Sequence, residues 1–171
     1  MKLIVSDRTL SLPENAGKDL EWIDLSKLQI ANCVGCFGCW TKTPGKCVIR
    51  DDGVKVYPRI AASEKLMYVS RVRYGGYDTP MKTMLERAIP VQQAFIRLHQ
   101  RETHHVQRNV IPKQAVIVGY GDISPEEQTL FRRLVDRNAR NMCFENYRVV
   151  FTSQVEVEET VRKELLAWER S

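Results

Sequence analysis

Gln114-Ala115-Val116-Ile117-Val118-Gly119-Tyr120-Gly121-Asp122-Ile123-Ser124-Pro125-Glu126-Glu127 is the stretch that decides the fold class. Gln114 to Gly119 is an unbroken run of small and β-branched residues, the pattern of a strand covered on both faces. Tyr120-Gly121 closes it. Ser124 then opens a capping box, with Pro125 at the first helical position and Glu127 three residues after the cap, which predicts a helix to Asn141. A buried strand feeding directly into a capped helix is the repeating unit of a parallel α/β sheet.

The flanks extend that unit. Lys65 to Arg71 reads as a central strand running into Tyr74-Gly75-Gly76-Tyr77, where glycine permits positive φ. Thr79-Pro80 starts a helix, with Thr79 as cap and Met81, Met84, Leu85, Ala88 and Ile89 at helical spacing. Beyond Pro90 a further helical piece is expected from Val91 to about Glu102, with His99 to Asn109 a loop or a frayed end. Asn146 to Phe151 is another strand, and Val157 to Glu169 an amphipathic helix turning Val161, Leu165 and Trp168 inward. Upstream, Met1 to Ser6 and Asp19 to Leu25 are strands. Asp7 to Lys18, with Pro13, Asn15 and Gly17, lacks helical periodicity, so the first crossover helix is expected to be missing. Asp51 and Asp52 can cap a helix through Ser63, which Gly53 and Pro58 weaken.

Together these predict one domain over residues 1–171: a three-layer α/β fold around a five-stranded, mainly parallel sheet. Such sheets bind ligands beyond the carboxyl ends of their strands. Here those ends are Asp7 to Ser11, Cys33 to Cys47, Arg71 to Asp78 and Tyr120 to Ser124.

Composition narrows the function. The chain is 43% hydrophobic with a formal net charge of +5, and no apolar run is long enough to cross a membrane. The basic groups Arg71/Arg73 and Arg132/Arg133/Arg137/Arg140 accompany no nucleic-acid-binding module, and an anionic cofactor suits them as well. Nucleic acid and membrane are therefore not expected as partners, and the cytoplasm is the default location. An odd cysteine count of five argues against a disulfide framework and leaves free thiols, a metal site or a redox site open.

Four of the five cysteines stand in Cys33-Val34-Gly35-Cys36-Phe37-Gly38-Cys39-Trp40-Thr41-Lys42-Thr43-Pro44-Gly45-Lys46-Cys47, followed by Asp51-Asp52. This motif resembles that of the flavodoxin-like NAD(P)H-dependent FMN reductases, relatives of the iron–sulfur flavoproteins. The resemblance implies a doubly wound sheet, noncovalent FMN, NAD(P)H as electron donor and a homodimer or larger homo-oligomer. It also implies hydride transfer to the flavin and onward electron transfer to a quinone, flavin or other small acceptor. By position, Arg73, Tyr74, Gly75, Gly76 and Tyr77 would face the flavin ring, with Arg73 near the part that becomes anionic. Gly119, Tyr120 and Gly121 would border its other side, and Phe37 and Trp40 would wall the pocket. No acid–base residue is required of the chain, because the flavin carries the redox chemistry.

The chain departs from the family after its first strand. Where members have a phosphate-holding loop and helix, it has Ser6-Asp7-Arg8-Thr9-Leu10-Ser11. Ser6, Arg8, Thr9 and Ser11 could contact a phosphate, but Asp7 would repel one. Three readings stay open: an altered ligand, a site completed by another subunit, or a non-catalytic binding protein that has lost FMN. The cysteine spacing could hold a 4Fe–4S cluster on Cys33, Cys36, Cys39 and Cys47, as in an iron–sulfur flavoprotein of electron transfer. Plain thiols are the simpler reading, with structural zinc and a redox pair of Cys36 with Cys39 as alternatives. Cys143 reads as a buried small hydrophobe. Trp22 and Trp168 read as packing residues. His104 and His105 are adjacent rather than on one helix face, which disfavours a shared metal.

Overall fold

The computed structural model describes residues 1–11, 19–99 and 101–169. Its centre is a sheet of β1 (Lys2–Ser6), β2 (Leu20–Asp24), β3 (Lys65–Arg73), β7 (Lys113–Tyr120) and β8 (Phe144–Thr152), in the order β2-β1-β3-β7-β8. All four pairings are parallel. A two-residue β4 (Gly76–Tyr77) adds antiparallel to the end of β3. The five-stranded, mainly parallel sheet expected from the sequence is therefore present, in the doubly wound order of flavodoxin-like folds.

Strand alternation explains why both faces must be covered. Leu3, Val5, Leu66, Tyr68, Ala115 and Ile117 point to one face, and Ile4, Met67, Val69, Val116 and Val118 to the other. The first face is covered by α2 (Gly53–Ala62), α3 (Thr79–Glu86) and α4 (Pro125–Asn141), which contribute Val56, Ile60, Met81, Met84, Phe131 and Val135. The second is covered by α5 (Val157–Glu169), through Val161, Leu165 and Trp168. Ser124 forms the capping box with Glu127 at the start of α4. On α3 the cap is Asp78, one residue before the expected Thr79, with its carboxylate accepting from the Thr79 amide. Asp7 to Ser11 carry no helix; the rest of that connection, 12–18, lies outside the described residues.

One prediction fails outright. The segment expected to be helical from Val91, and the loop expected to follow it, form a β-hairpin of β5 (Gln92–His99) and β6 (Glu102–Gln107) apart from the main sheet. Arg101, at φ 65°, turns it. The hairpin's outer strand exposes Phe95, Ile96 and Leu98, so its apolar residues do not alternate inward and outward, and no period-2 pattern marks it as a strand. Glu102 ties it to α4 through Arg137 and through Arg140 at 2.7 Å.

Candidate functional site

Two places at the carboxyl ends of the strands gather chemistry: the cysteine loop and the crevice between β1 and β3. The loop is closed at its base by its own acidic pair. Asp52 accepts the Gln29 amide at 3.0 Å, and Asp51 accepts the amides of Ala31 at 2.8 Å and Gly53 at 3.0 Å. The segment before the cysteines is thus stapled to the start of α2. Asp51 and Asp52 do bracket that start, though by holding the loop rather than by capping with the Asp52 side chain. Inside the loop a single turn, α1 (Gly38–Thr41), follows Phe37 at φ 54°. A Cβ at Gly38 would lie 2.7 Å from Val48 Cγ1, so a larger residue there would have to displace Val48.

Cys33, Cys36, Cys39 and Cys47 all line one cavity of about 150 Å³, with Phe37, Trp40, Val48 and Pro90 as apolar walls. Cys39 is buried, Cys47 half-buried, and Cys33 and Cys36 open to solvent. Burial pushes the Cys39 thiol pKa up, and the charges of Cys47, Cys33 and Cys36 push it further in the same direction. The four sulfurs therefore feel one another electrostatically. The Tyr57 hydroxyl, on α2, accepts the Cys47 amide at 3.1 Å and fixes that end of the set. Trp40 donates to Gln92 O at 2.9 Å and packs on His105 at 4.7 Å, fastening the loop to the β5–β6 hairpin.

Arg87 lines the same cavity and is 1% exposed. Its two terminal nitrogens hold Asp51 at 2.7 and 2.9 Å and reach Ala31 O at 2.7 Å. Burial opposes its charge, but the hydrogen bonds and charges of Asp51 and Cys47 outweigh that and raise its pKa. Among the described residues its Nε has no hydrogen-bond partner. Nothing in the sequence marks Arg87, which reads as one more charge near the end of a helix. Only its burial distinguishes it.

Among the described residues no three of His, Cys, Asp and Glu stand close enough to share a single metal ion. A 4Fe–4S cluster asks for something different: four thiolates spread around a compact apolar volume, which is what this cavity offers. Cys33, Cys36, Cys39 and Cys47 are the residues that would hold such a cluster. The histidines are placed elsewhere: His104 contacts Asn141 at 3.0 Å and Glu102 at 3.1 Å, and His105 meets Gln93 O at 2.9 Å.

The residues expected around a flavin divide. Arg73, Tyr74, Gly76 and Tyr77 line an open groove of about 670 Å³ shared with α3 and α4. Tyr74 stands at its tip, 89% exposed and at φ 52°, while Arg73 pairs with Asp78 at 3.7 Å. Gly75, at φ 70°, lies under Leu130, whose Cδ2 would be 2.6 Å from any Cβ. Tyr77 turns into the core, its ring edge-on to Phe131 at 4.9 Å. Gly119 lies within β7, where a Cβ would meet Val72 Cγ2 at 2.8 Å, and Gly121, at φ 132°, follows it. Tyr120 is buried, and its hydroxyl donates to Asp7 at 2.8 Å.

Of the residues expected around a phosphate, Ser6, Arg8 and Thr9 are committed to the chain itself. The Ser6 hydroxyl donates to Arg8 O at 2.7 Å and accepts from Trp22 Nε1 at 2.8 Å. The Thr9 hydroxyl donates to Asp24 at 2.6 Å, and Arg8 reaches Gln154 O at 3.3 Å. These side chains do not fit a bound phosphate as they stand.

No family model matches the chain. Two curated relatives do: an iron–sulfur flavoprotein of Archaeoglobus fulgidus, 33% identical over 84 residues, which are 49% of this chain and 37% of the relative, and an iron–sulfur flavoprotein of Methanocaldococcus jannaschii, 28% identical over 93 residues, 54% and 47% respectively. The chain thus spans less than half the length of these relatives. Among solved structures it is similar to an FMN-dependent NADH-azoreductase from Bacillus anthracis in complex with FMN, at a TM-score of 0.56 and 12% identity over 96% of this chain and 94% of that one. The fold defines a flavodoxin-like α/β protein. Its relatives and structural neighbours are those of the flavodoxin-like NAD(P)H–FMN reductase family and the iron–sulfur flavoproteins, as the cysteine motif implied.

Proposed function

We propose that this chain is a flavin-dependent oxidoreductase of the iron–sulfur flavoprotein kind, with Cys33, Cys36, Cys39 and Cys47 holding a 4Fe–4S cluster. NAD(P)H is the electron donor, and a quinone, flavin or other small molecule the acceptor. The observation that carries this reading is the meeting of all four thiols on one apolar cavity. The names of the curated relatives and the FMN-bound neighbour support it.

The chain's own residues prepare the site. Phe37 and Trp40 stack at 5.3 Å along one wall of the cavity. Arg87 sets a buried positive charge beside thiolates that would otherwise repel one another. A cluster bound there would supply one-electron transfer. A flavin bound along the Arg73–Tyr77 turn would supply the hydride acceptor, and Arg73 would offset the negative charge that reduction places on the ring.

Copies of the chain would associate through the β5–β6 hairpin, which exposes Phe95 by 71% and Leu98 by 78%, and would work in the cytoplasm, where thiols stay reduced. Among the described residues no helix is long and apolar enough to cross a membrane.

The test is anaerobic reconstitution with iron and sulfide, followed by flavin titration and NAD(P)H oxidation with a quinone acceptor. The expected product is brown, carries ~4 iron per chain and takes up flavin. A folded protein that incorporates no iron sinks the cluster assignment. The second reading, a flavodoxin-like binding protein that has lost FMN, is favoured by the committed side chains around Asp7; a reconstituted protein that takes up no flavin would establish it.

A further inference from the structure

We infer that Asp7 is a built-in anion occupying the switch-point crevice, so that this site turns away phosphate-terminated ligands and takes uncharged planar ones. The strand order reverses between β1 and β3, since β2 lies on one side of β1 and β3, β7 and β8 on the other. Crevices at such reversals are where doubly wound sheets bind ligands. Asp7 is the first residue past β1, and its amide donates to Val69 O on β3 at 3.1 Å.

Its carboxylate gathers donors from the neighbouring strands. Oδ2 lies 2.8 Å from the Arg71 amide and 2.8 Å from the Ser70 hydroxyl, which is also 3.0 Å from Arg71 O. Oδ1 accepts from the Tyr120 hydroxyl at 2.8 Å. An amide and two hydroxyls converging on one point form an anion hole. Here the anion is covalently part of the chain. Arg8 lies 5.5 Å over the Tyr120 ring, close to the same point. A second anion would meet a like charge and find these donors spent. A flavin held here would accordingly be recognised by its ring and ribityl chain. That clause rests on the proposed flavin site; the anion hole itself does not.

The experiment uses the full chain and its Asp7→Ser and Asp7→Asn variants, with two kinds of probe. The first is inorganic phosphate, followed by thermal shift and by 31P NMR line width. The wild type should show no saturable binding and Asp7→Ser should gain it. The second compares FMN with riboflavin by fluorescence titration. The wild type should bind the two within about threefold, and Asp7→Ser should tighten FMN by roughly tenfold while leaving riboflavin within about twofold. Asp7→Asn keeps the shape without the charge and carries both arms should the serine variant fail to fold. A wild type that prefers FMN to riboflavin by about tenfold or more overturns the inference, as does a folded variant that gains no phosphate binding. If phosphate binds a variant while neither flavin binds any protein, the anion hole stands and the flavin assignment falls.

Discussion

The cysteine loop and the β1–β3 crevice sit at the same end of one sheet, yet their polar groups are in opposite conditions. In the loop, four thiols face a shared apolar cavity, and among the described residues Arg87 Nε has no hydrogen-bond partner. In the crevice, the hydroxyls of Ser6, Thr9, Ser70 and Tyr120 already have internal partners, and two of them donate to the chain's own Asp7. Unspent ligands in a shaped cavity call for an occupant, whereas spent donors exclude one. In this molecule the loop's thiols are free, whereas the hydroxyls beside β1 are engaged within the chain.

The sharpest way to break that contrast is to remove one of those thiols. Cys39→Ser should reduce iron after reconstitution from ~4 per chain to near zero, measured by elemental analysis with circular dichroism as the folding control; retained iron would remove Cys39 from the set. Next is the support beneath the thiols. Arg87→Met leaves Asp51 without its buried partner and should cost about 3–5 kcal/mol by denaturant unfolding, because Arg87 is 1% exposed and the pair bidentate. A loss under ~1 kcal/mol would reduce the pair to a surface contact.

The crevice answers to a smaller change. Tyr120→Phe removes one of the three groups donating to Asp7 and should cost about 1–3 kcal/mol near neutral pH. Burial raises the Asp7 pKa above 3.8, although the Tyr120, Arg71 and Ser70 hydrogen bonds pull it back. The folded state therefore holds this proton more tightly than the unfolded chain. The stability tied to it is fully present below pH 3.8 and lost as pH rises through the folded value. The Tyr120→Phe deficit should shrink on acidification, and a deficit independent of pH would mean that the hydroxyl serves something other than Asp7.

The smallest effect belongs to the hairpin clamp and has the opposite sign. Hydrogen bonds from Arg137 and Arg140 lower Glu102 from 4.5 to about 2. Its contribution is present above pH 4.5 and lost as pH falls toward about 2. Glu102→Gln should flatten any change in Trp40 fluorescence over that window, since Trp40 rests on the hairpin through His105. An unchanged acid transition would place the clamp elsewhere.

How much of this was legible in the sequence follows from how local each signal is. Gln114 to Gly119 and the Ser124 box carry their signals within a few residues, and β7 and α4 stand where those signals put them. The hairpin escaped because Phe95, Ile96 and Leu98 face outward instead of alternating toward a core. The cysteine spacing announced a site, but its convergence depends on Arg87 and Pro90, brought in by the fold. Asp7 was legible as a repulsive charge. That it is held by Ser70 and Tyr120, 63 and 113 residues away, is a property of strand order, which local pattern does not encode.

The composition of the thiol cavity also sets a timetable. All four sulfurs precede, by dozens of residues of translation, Glu86, Arg87, Ile89 and Pro90, which complete the enclosure. Until then the cysteines belong to a loop whose cavity lacks those four walls. Were a cluster held there, its full enclosure would wait for Pro90, dozens of residues after Cys47.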